Sequence, residues 1–267
     1  MSAKQTFGII YLIFKLIPDY GGYAMIELKN LSKKFGNITA VDSLSFTVEK
    51  GEIFGLIGEN GAGKTTTLRM LATMLAPTSG TAVLSGHDIV KEPEKVRGKV
   101  GILFGGESGL YDRLTVAENI RYFGELNDMS IDEIDRRTKM LADIFDMNDF
   151  LNKRAGKLSK GMRQKAAFAR AIIHDPDILL LDEPTSGLDV SAIREVQNFI
   201  LEQKKQGKTV LFSSHTMSEI EKLCDRIAII HKGKLVALGT IDEIRQSNEN
   251  LSLEELFVRL VGDKHDA

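Results

Sequence analysis

The sequence contains one cysteine, five prolines and no tryptophan among its 267 residues. A lone cysteine, Cys224, excludes an intramolecular disulfide framework and is typical of a reducing cytosol. Neither charge sign dominates, because 35 Lys and Arg residues stand against 37 Asp and Glu residues. Without a basic excess, binding through phosphate neutralisation is disfavoured, so we expect no nucleic-acid partner. Apolar and charged fractions of 43% and 27% exclude disorder of the whole chain.

Long hydrophobic runs are also scarce. The most apolar run, residues 7–17, includes Lys15, whereas a membrane-spanning helix needs about 20 apolar residues. A basic start before this run resembles a signal peptide, but no clear small-residue cleavage site follows. We therefore treat residues 1–24 as an N-terminal extension with two open interpretations. It is either an accessory segment before a translation start at Met25, or an interfacial segment that lies on a membrane.

From Met25 onward, strand and helix patterns alternate. Residues 26–31 and 44–48 alternate apolar and polar side chains, which predicts half-buried antiparallel strands. The range 52–57 is continuously apolar after Glu52, as in buried parallel strands. Further strands are expected over 100–104, 178–181, 209–213 and 226–230, and helices over 64–75, 116–126, 131–146, 160–174, 190–206 and 217–223. The pattern predicts an α/β fold with a mostly parallel sheet, an antiparallel β subdomain and a charged helical insertion at about 107–160.

A glycine-rich loop carries the strongest chemical signal. The run Gly58-Glu59-Asn60-Gly61-Ala62-Gly63-Lys64-Thr65 fits G-x-x-x-x-G-K-[ST] between a predicted strand and a predicted helix. Glycines let backbone N–H groups curl around phosphate oxygens, and the helix N-terminus favours an anion. Lys64 is predicted to reach the β- and γ-phosphates, Thr65 to hold Mg²⁺, and Thr66 to complete the loop. The alternative, a glycine-rich turn without a ligand, does not account for the flanking strand and helix.

An acidic pair follows the apolar strand at 178–181. Asp182 and Glu183 come at the carboxyl end of that strand, where parallel sheets bind ligands. Asp182 fits the carboxylate that holds the metal in P-loop nucleotidases. Glu183 then points elsewhere and is a candidate for activating water.

A third set of residues indicates a family. Leu158-Ser159-Lys160-Gly161-Met162 precedes the acidic strand, and Pro184-Thr-Ser-Gly-Leu-Asp189 and Ser213-Ser-His215 follow it. In this order the set resembles the ATP-binding cassette ATPases, the nucleotide-binding subunits of ABC transporters, over about 25–239. The resemblance implies a RecA-like P-loop NTPase fold. Residues 240–267 are then a short helical tail.

The resemblance also implies roles for individual residues. In this family the signature of one subunit covers the ATP of its partner, which assigns Ser159 and Gly161 to the partner's nucleotide. Glu183 corresponds to the catalytic base and His215 to the switch histidine at the γ-phosphate; a capping or core role for His215 is the alternative. Asp189 corresponds to the aspartate that crosses the dimer interface. Phe35 lies where the family stacks an aromatic ring on adenine, unless it is an ordinary core aromatic.

Two departures from the family pattern stand out. Met162 replaces the glutamine usual at the fifth signature position, and Gln164 follows two residues later. After the predicted strand at 100–104, Gly105-Gly106-Glu107 stands where the family usually has a glutamine. Residues 109–115 and the tail Leu253-Glu-Glu-Leu-Phe257 resemble single-cassette ATPases that pair with separate six-helix permeases in sodium, drug and polysaccharide export.

The resemblance therefore implies an ATPase that uses ATP and Mg²⁺. Its partners would be an integral membrane permease and a second copy of itself or a homologous cassette, at the cytoplasmic face of the cell membrane. One alternative is a non-transport cassette protein acting in translation or DNA repair, although such relatives usually carry two fused cassettes or a long coiled coil. A regulatory module that binds ATP without hydrolysis is a second alternative, against which Glu183 and His215 argue.

Overall fold

The computed structural model describes residues 24–104, 109–248 and 251–262. The apolar run at 7–17 and the segment Gly105, Gly106 and Glu107, on which expectations were placed, lie outside the described residues. In the part of the chain that is described, no helix is long and apolar enough to cross a bilayer.

Strands and helices alternate as predicted. The strands are β1 (Ala24–Phe35), β2 (Ile38–Glu49), β3 (Ile53–Ile57), β4 (Ser79–Leu84), β5 (His87–Asp88), β6 (Val100–Leu103), β7 (Ile178–Asp182), β8 (Thr209–Ser214), β9 (Arg226–His231) and β10 (Lys234–Gly239). The α-helices are α1 (Lys64–Leu71), α2 (Pro93–Arg97), α3 (Val116–Leu126), α4 (Ile131–Ile144), α5 (Lys160–Ile172), α6 (Val190–Lys205), α7 (Met217–Leu223), α8 (Ile241–Gln246) and α9 (Leu253–Gly262). Every predicted element is present, whereas β4, β5, α2 and β10 were not predicted.

The larger sheet positions the candidate site. Its strand order is β10-β9-β3-β8-β7-β6, and all neighbours are parallel except β10 with β9. Strands β3, β7 and β8 are buried along their whole length, which explains their continuous apolar sequences. Because these three strands are adjacent and parallel, the loop after β3, the acidic pair at the end of β7 and the histidine after β8 meet at one edge.

The smaller sheet is antiparallel, in the order β2-β1-β4-β5. Its strands β1 and β2 are longer than the predicted 26–31 and 44–48. Register shifts interrupt the pairing near Leu31, and Asn30 and Ser43 adopt φ values of 50° and 55°. These irregularities break the apolar alternation that a sequence pattern can detect. Phe46 of β2 stacks on Phe54 of β3 with ring centres 5.2 Å apart, which joins the two sheets.

Helices α3 and α4 lie between β6 and α5, where the helical insertion is predicted; the limits of the insertion and of the whole domain stay predictions. Thr115 caps α3 and forms a capping box with Glu118, and Ser130 caps α4. The buried faces of these helices include Ile120 and Leu141, which belong to the core of the parallel sheet. The helical layer is therefore packed on the sheet as part of one core.

Cys224 lies where α7 ends and packs against β3. A Cβ added to Gly55 would lie 2.7 Å from Cys224 Sγ, so a glycine is required at that strand position. Burial, followed by the nearby carboxylates of Asp225, Glu219 and Glu52, raises the pKa of the Cys224 thiol well above its usual value. The thiol is therefore protonated and unreactive at neutral pH.

Candidate functional site

The glycine-rich loop connects the end of β3 to the start of α1. Gly61 and Gly63 adopt φ values of 83° and 107°, which only glycine reaches without strain. A Cβ on Gly58 or on Gly63 would lie 2.5 Å from a backbone oxygen, of Ile230 and Ala40 respectively. The backbone of the loop is thus fixed in a tight turn at the N-terminus of α1, an arrangement suited to a phosphate group.

The remaining loop residues divide by exposure. Glu59, Asn60 and Gly61 are exposed, whereas Ala62 is buried and Thr66 is half-buried. The carbonyl of Ala62 accepts a hydrogen bond from the N–H of Gly233 at 2.9 Å, so the loop is anchored to the turn between β9 and β10.

The Lys64 side chain is folded into this loop. It is 5% exposed, and its Nζ donates hydrogen bonds to the carbonyl oxygens of Gly58 at 2.7 Å and Glu59 at 3.1 Å. Burial lowers the pKa of Lys64, while the carboxylates of Glu183 and Asp182 oppose that shift. The ammonium is therefore held by neutral carbonyls, which an anionic phosphate can replace as a stronger partner.

Asp182 joins the loop to β7, which is separated from β3 by β8 in the sheet. The carboxylate lies at the end of β7 and is buried, with Oδ2 accepting from Thr65 Oγ1 at 2.7 Å. Its Oδ1 accepts from Ser213 Oγ at 2.5 Å. The structure thus brings together Thr65 and Asp182, the two residues predicted to hold a metal. Ser213, for which the sequence suggested no role, orients this carboxylate.

Glu183 has an unusual backbone conformation. Its φ is 46°, and its N–H donates to the carbonyl oxygen and to Oγ of Ser213, each at 3.1 Å. A non-glycine residue in this region costs about 1–3 kcal/mol, and such strain concentrates at functional sites. The turn separates the Glu183 side chain from that of Asp182. Glu183 Oε1 lies 3.2 Å from His215 Nδ1 and 3.9 Å from Lys64 Nζ. All three predicted catalytic residues therefore meet at one carboxylate oxygen.

A cavity of about 310 Å³ adjoins this group and is lined by Glu183, His215, Ser214 and Glu219, among others. Ser214 Oγ donates to Glu219 Oε2 at 2.9 Å and accepts from the N–H of Thr216 at 3.0 Å. Glu219 is 4% exposed. This buried network fixes the turn that carries His215, and no sequence pattern singles out Glu219 beyond its position in the first turn of α7.

The signature residues lie elsewhere, at the start of α5. Ser159 Oγ accepts from the N–H of Met162 at 3.3 Å, and a Cβ on Gly161 would meet no atom within 4 Å. Lys160 Nζ lies 2.0 Å from the place where a Cβ of Gly187 would be, so Lys160 covers that glycine. Gln164 Nε2 donates to the carbonyl of Pro184 at 2.7 Å. The signature helix thus contacts the turn after the acidic strand in its own chain.

Two further predicted residues are at the surface. Asp189 is the N-cap of α6, and its Oδ1 accepts from the N–H of Ala192 at 2.9 Å. Phe35 is 48% exposed at the end of β1, with Lys33 Nζ 5.2 Å from the ring centre. The exposure of Phe35 argues against a core role and leaves the ring available for stacking. The nucleotide roles of both residues stay predictions.

A phosphate-binding loop after a buried parallel strand, with an aspartate from another strand of the same sheet bonded to the loop threonine, defines a P-loop nucleoside triphosphatase. Residues 41–186 match the family model described as ABC transporter. The chain is 47% identical over 238 residues to the ABC transporter ATP-binding protein NatA of Bacillus subtilis, covering 88% of this chain and 97% of NatA. The chain therefore belongs to the ATP-binding proteins of the ABC transporter family.

Other relatives agree with this assignment. A Nod factor export ATP-binding protein I of Burkholderia lata is 37% identical over 234 residues, or 88% of this chain and 77% of the relative. A solved ATP-binding subunit of an ABC transporter superposes with a TM-score of 0.82 at 33% identity, covering 88% of this chain and 99% of the other. A solved dimeric ATP-binding cassette bound to ADP and Pi superposes with a TM-score of 0.75 at 26% identity. The match covers 81% of this chain and 99% of the other. The predicted family, fold class and ATPase activity are confirmed.

Proposed function

We propose that this chain is the ATPase subunit of an exporter, in which two cassettes close head to tail over two ATP molecules and drive a separate membrane permease. In this proposal the chain sits at the cytoplasmic face of the membrane and is held there by the permease. The relatives named for Nod factor export and as probable multidrug transporters favour an export direction over a role in translation or DNA repair.

The observation that carries the proposal is the separation of the motifs within one chain. Lys64, Asp182, Glu183 and His215 are linked by direct contacts, whereas Ser159 lies on an exposed helix start and bonds to its own helix. A second copy, turned head to tail, can present its signature to the nucleotide in the first. Dimeric cassettes among the structural neighbours support this arrangement.

The residues of the loop bind and orient the nucleotide. Lys64 exchanges the carbonyls of Gly58 and Glu59 for phosphate oxygens, and the N-terminus of α1 stabilises the same negative charge. The exposed ring of Phe35 is placed to stack on the adenine. These contacts fix the γ-phosphate near Glu183, and positioning supplies much of the rate enhancement in phosphoryl transfer.

Thr65 and Asp182 fit a Mg²⁺ ion, because both present oxygen atoms, 2.7 Å apart, beside the phosphate loop. When bound, the ion would neutralise phosphate charge during transfer. The hydroxyl of Ser213 donates a hydrogen bond to the other oxygen of Asp182, which fixes the direction of the carboxylate.

Glu183 is the general base in this mechanism. Its strained backbone turns the carboxylate toward His215 and the cavity, where it accepts a proton from the attacking water. His215 orients the carboxylate and the γ-phosphate, and the Ser214–Glu219 network holds the turn. ATP favours the closed dimer because both copies contact it, and hydrolysis removes that preference.

Co-purification from detergent-solubilised membranes tests the proposal. We expect a tagged Glu183→Gln chain to recover a polytopic membrane protein in the presence of ATP. Wild-type chain with ADP is the matched control. Recovery of ribosomes or DNA in place of a membrane protein would contradict the transport role and favour the alternative.

A further inference from the structure

Arg170, near the carboxyl end of α5, contacts three other parts of the fold. Its Nη2 donates to the carbonyl oxygen of Ile102 in β6 at 2.8 Å, and its Cζ lies 4.5 Å from the ring centre of Phe123 in α3. A Cβ on Gly109 would lie 2.8 Å from Nη1, so Arg170 also packs against the chain just before the helical layer. One guanidinium therefore joins the signature helix, the parallel sheet and the helical layer.

The environment of this guanidinium is unusual. Among the described residues no carboxylate forms an ion pair with it, and its buried Nε has no hydrogen-bond partner. Burial lowers the pKa of Arg170 to about 10, against the opposing influence of Tyr111, so the group is charged at neutral pH. In the part of the chain that the structure describes, a carbonyl and an aromatic ring hold this buried cation, and such an environment is costly for stability. Such a cost is better explained by a geometric requirement than by a gain in stability.

The carboxyl end of α5 is anchored close to Arg170. Arg137 of α4 donates to the carbonyls of Ile172 and Ile173, and a ring nitrogen of His174 lies 3.2 Å from the carbonyl oxygen of Val100. The opposite end of the helix carries Ser159. At a rise of about 1.5 Å per residue, Ser159 lies about 16 Å from Arg170 along the axis, so a tilt of about 4° moves it by about 1 Å.

We propose that Arg170 is a positioning residue for ATP hydrolysis: it fixes the angle of α5 against β6 and α3, so that the signature meets the nucleotide of the second copy. The inference rests on the head-to-tail dimer proposed above. A misplacement of about 1 Å can cost about 100-fold in rate. Ile102 and Gly109 lie before and after the segment Gly105-Gly106-Glu107, which departs from the family pattern. Arg170 therefore contacts the chain on both sides of that segment.

Substitution of Arg170 tests this role. Arg170→Met keeps the packing volume but removes the charge and the hydrogen bond, whereas Arg170→Lys keeps the charge without the planar fork. Arg136→Met, at an exposed position of α4, is the matched control. We measure kcat and KM for ATP hydrolysis, the Kd of the isolated chain for a fluorescent ATP analogue, and the thermal unfolding midpoint.

We expect Arg170→Met to lower kcat about tenfold or more while the nucleotide Kd stays within about twofold. Arg170→Lys should restore part of the rate, and Arg136→Met should match the wild type. An unchanged kcat in Arg170→Met would overturn the proposal, and so would a parallel loss of nucleotide affinity and thermal stability, which indicates a purely structural role.

If Arg170→Met does not fold, Arg170→Lys and Phe123→Leu decide the question. Both should lower kcat without weakening nucleotide binding, and wild-type turnover in both would overturn the proposal. The head-to-tail dimer is tested separately, by ATP-dependent dimerisation of Glu183→Gln with intact Arg170. Failure of that control would indicate that the proposed function, rather than the role of Arg170, is wrong.

Discussion

At the scale of single residues, the candidate site centres on Glu183, whose Oε1 lies 3.2 Å from His215 Nδ1 and 3.9 Å from Lys64 Nζ. Lys64, Thr65 and Asp182 were predictable, because a glycine-rich loop and an acidic strand end have fixed spacings. The orienting contacts of Ser213 and Glu219 were not predictable, since they depend on which strands and turns become neighbours. The left-handed backbone of Glu183 likewise has no signature in sequence.

Replacing Glu183 by glutamine removes the proposed base but keeps the size of the side chain. We expect ATP binding to persist and turnover to fall by about 100-fold or more, measured as phosphate release under saturating ATP. The control is Glu94→Gln, because the Glu94 side chain of α2 is 90% exposed. Near wild-type hydrolysis in Glu183→Gln would refute the assignment of the base.

Replacing Lys64 by alanine tests the loop. The change removes a charge-assisted hydrogen bond to phosphate, so the nucleotide Kd should rise by about 10- to 100-fold. Isothermal titration with ATP measures the change, and Lys205→Ala, at a surface position of α6, provides the control. An unchanged Kd in Lys64→Ala would contradict the phosphate-binding role.

At the scale of elements, buried parallel strands were the most predictable part of the fold. Strands β3, β7 and β8 are apolar throughout because both of their faces are covered. Strand β4 was missed because it begins with Ser79 and Gly80, where Gly80 passes so close to Asn30 that a Cβ would lie 2.1 Å from its carbonyl oxygen. Tertiary pairing, and not local propensity, forms such a strand. Helix α1 ends at Leu71, short of the predicted residue 75, and Thr73 adopts a left-handed φ of 58°.

The capping box of α3 predicts a pH dependence of stability. Hydrogen bonds from the backbone N–H and the hydroxyl of Thr115 lower the pKa of Glu118 below 4.5 in the folded state. Because the pKa of Glu118 is lower in the folded than in the unfolded chain, the ionised carboxylate stabilises the fold above pH 4.5. This stabilisation is lost as the pH falls through the pKa of the folded state.

We therefore expect Glu118→Gln to be less stable than the wild type at pH 7 and equally stable well below pH 4. Urea unfolding across this pH range measures the difference. A difference that is the same at both pH values would exclude the charged cap as its source.

An aromatic cluster holds the helical layer to α6. Phe168 of α5 packs against Phe199 of α6 with ring centres 4.7 Å apart, and against Phe145 at 6.4 Å. Phe168→Ala should lower the free energy of unfolding by about 3–5 kcal/mol. Ile144→Ala, at a position 61% exposed, should lower it far less. Equal losses in urea denaturation would show that the cluster does not anchor the layer.

At the scale of the whole molecule, the proposed site is divided between two copies: Lys64, Glu183 and His215 lie together in one copy, and the signature would come from the other. If hydrolysis requires two copies, the rate per subunit should rise with protein concentration at saturating ATP. Ser159→Ala should retain ATP binding and show a lower rate at every concentration, because it removes a contact made to the other copy. A rate per subunit that is independent of concentration over a 100-fold dilution, in a chain shown to be monomeric, would contradict the composite site.

The burial of Cys224 against Gly55 also makes this chain a convenient background for spectroscopy. The natural thiol packs against β3 and its pKa is raised well above its usual value, so a fluorophore or spin label should react faster with a cysteine introduced at the surface. Ile38, which is 71% exposed at the turn beside Phe35, is one such position. Donor and acceptor dyes at Ile38→Cys in two copies would report opening and closing by energy transfer, with the native Cys224 left in place.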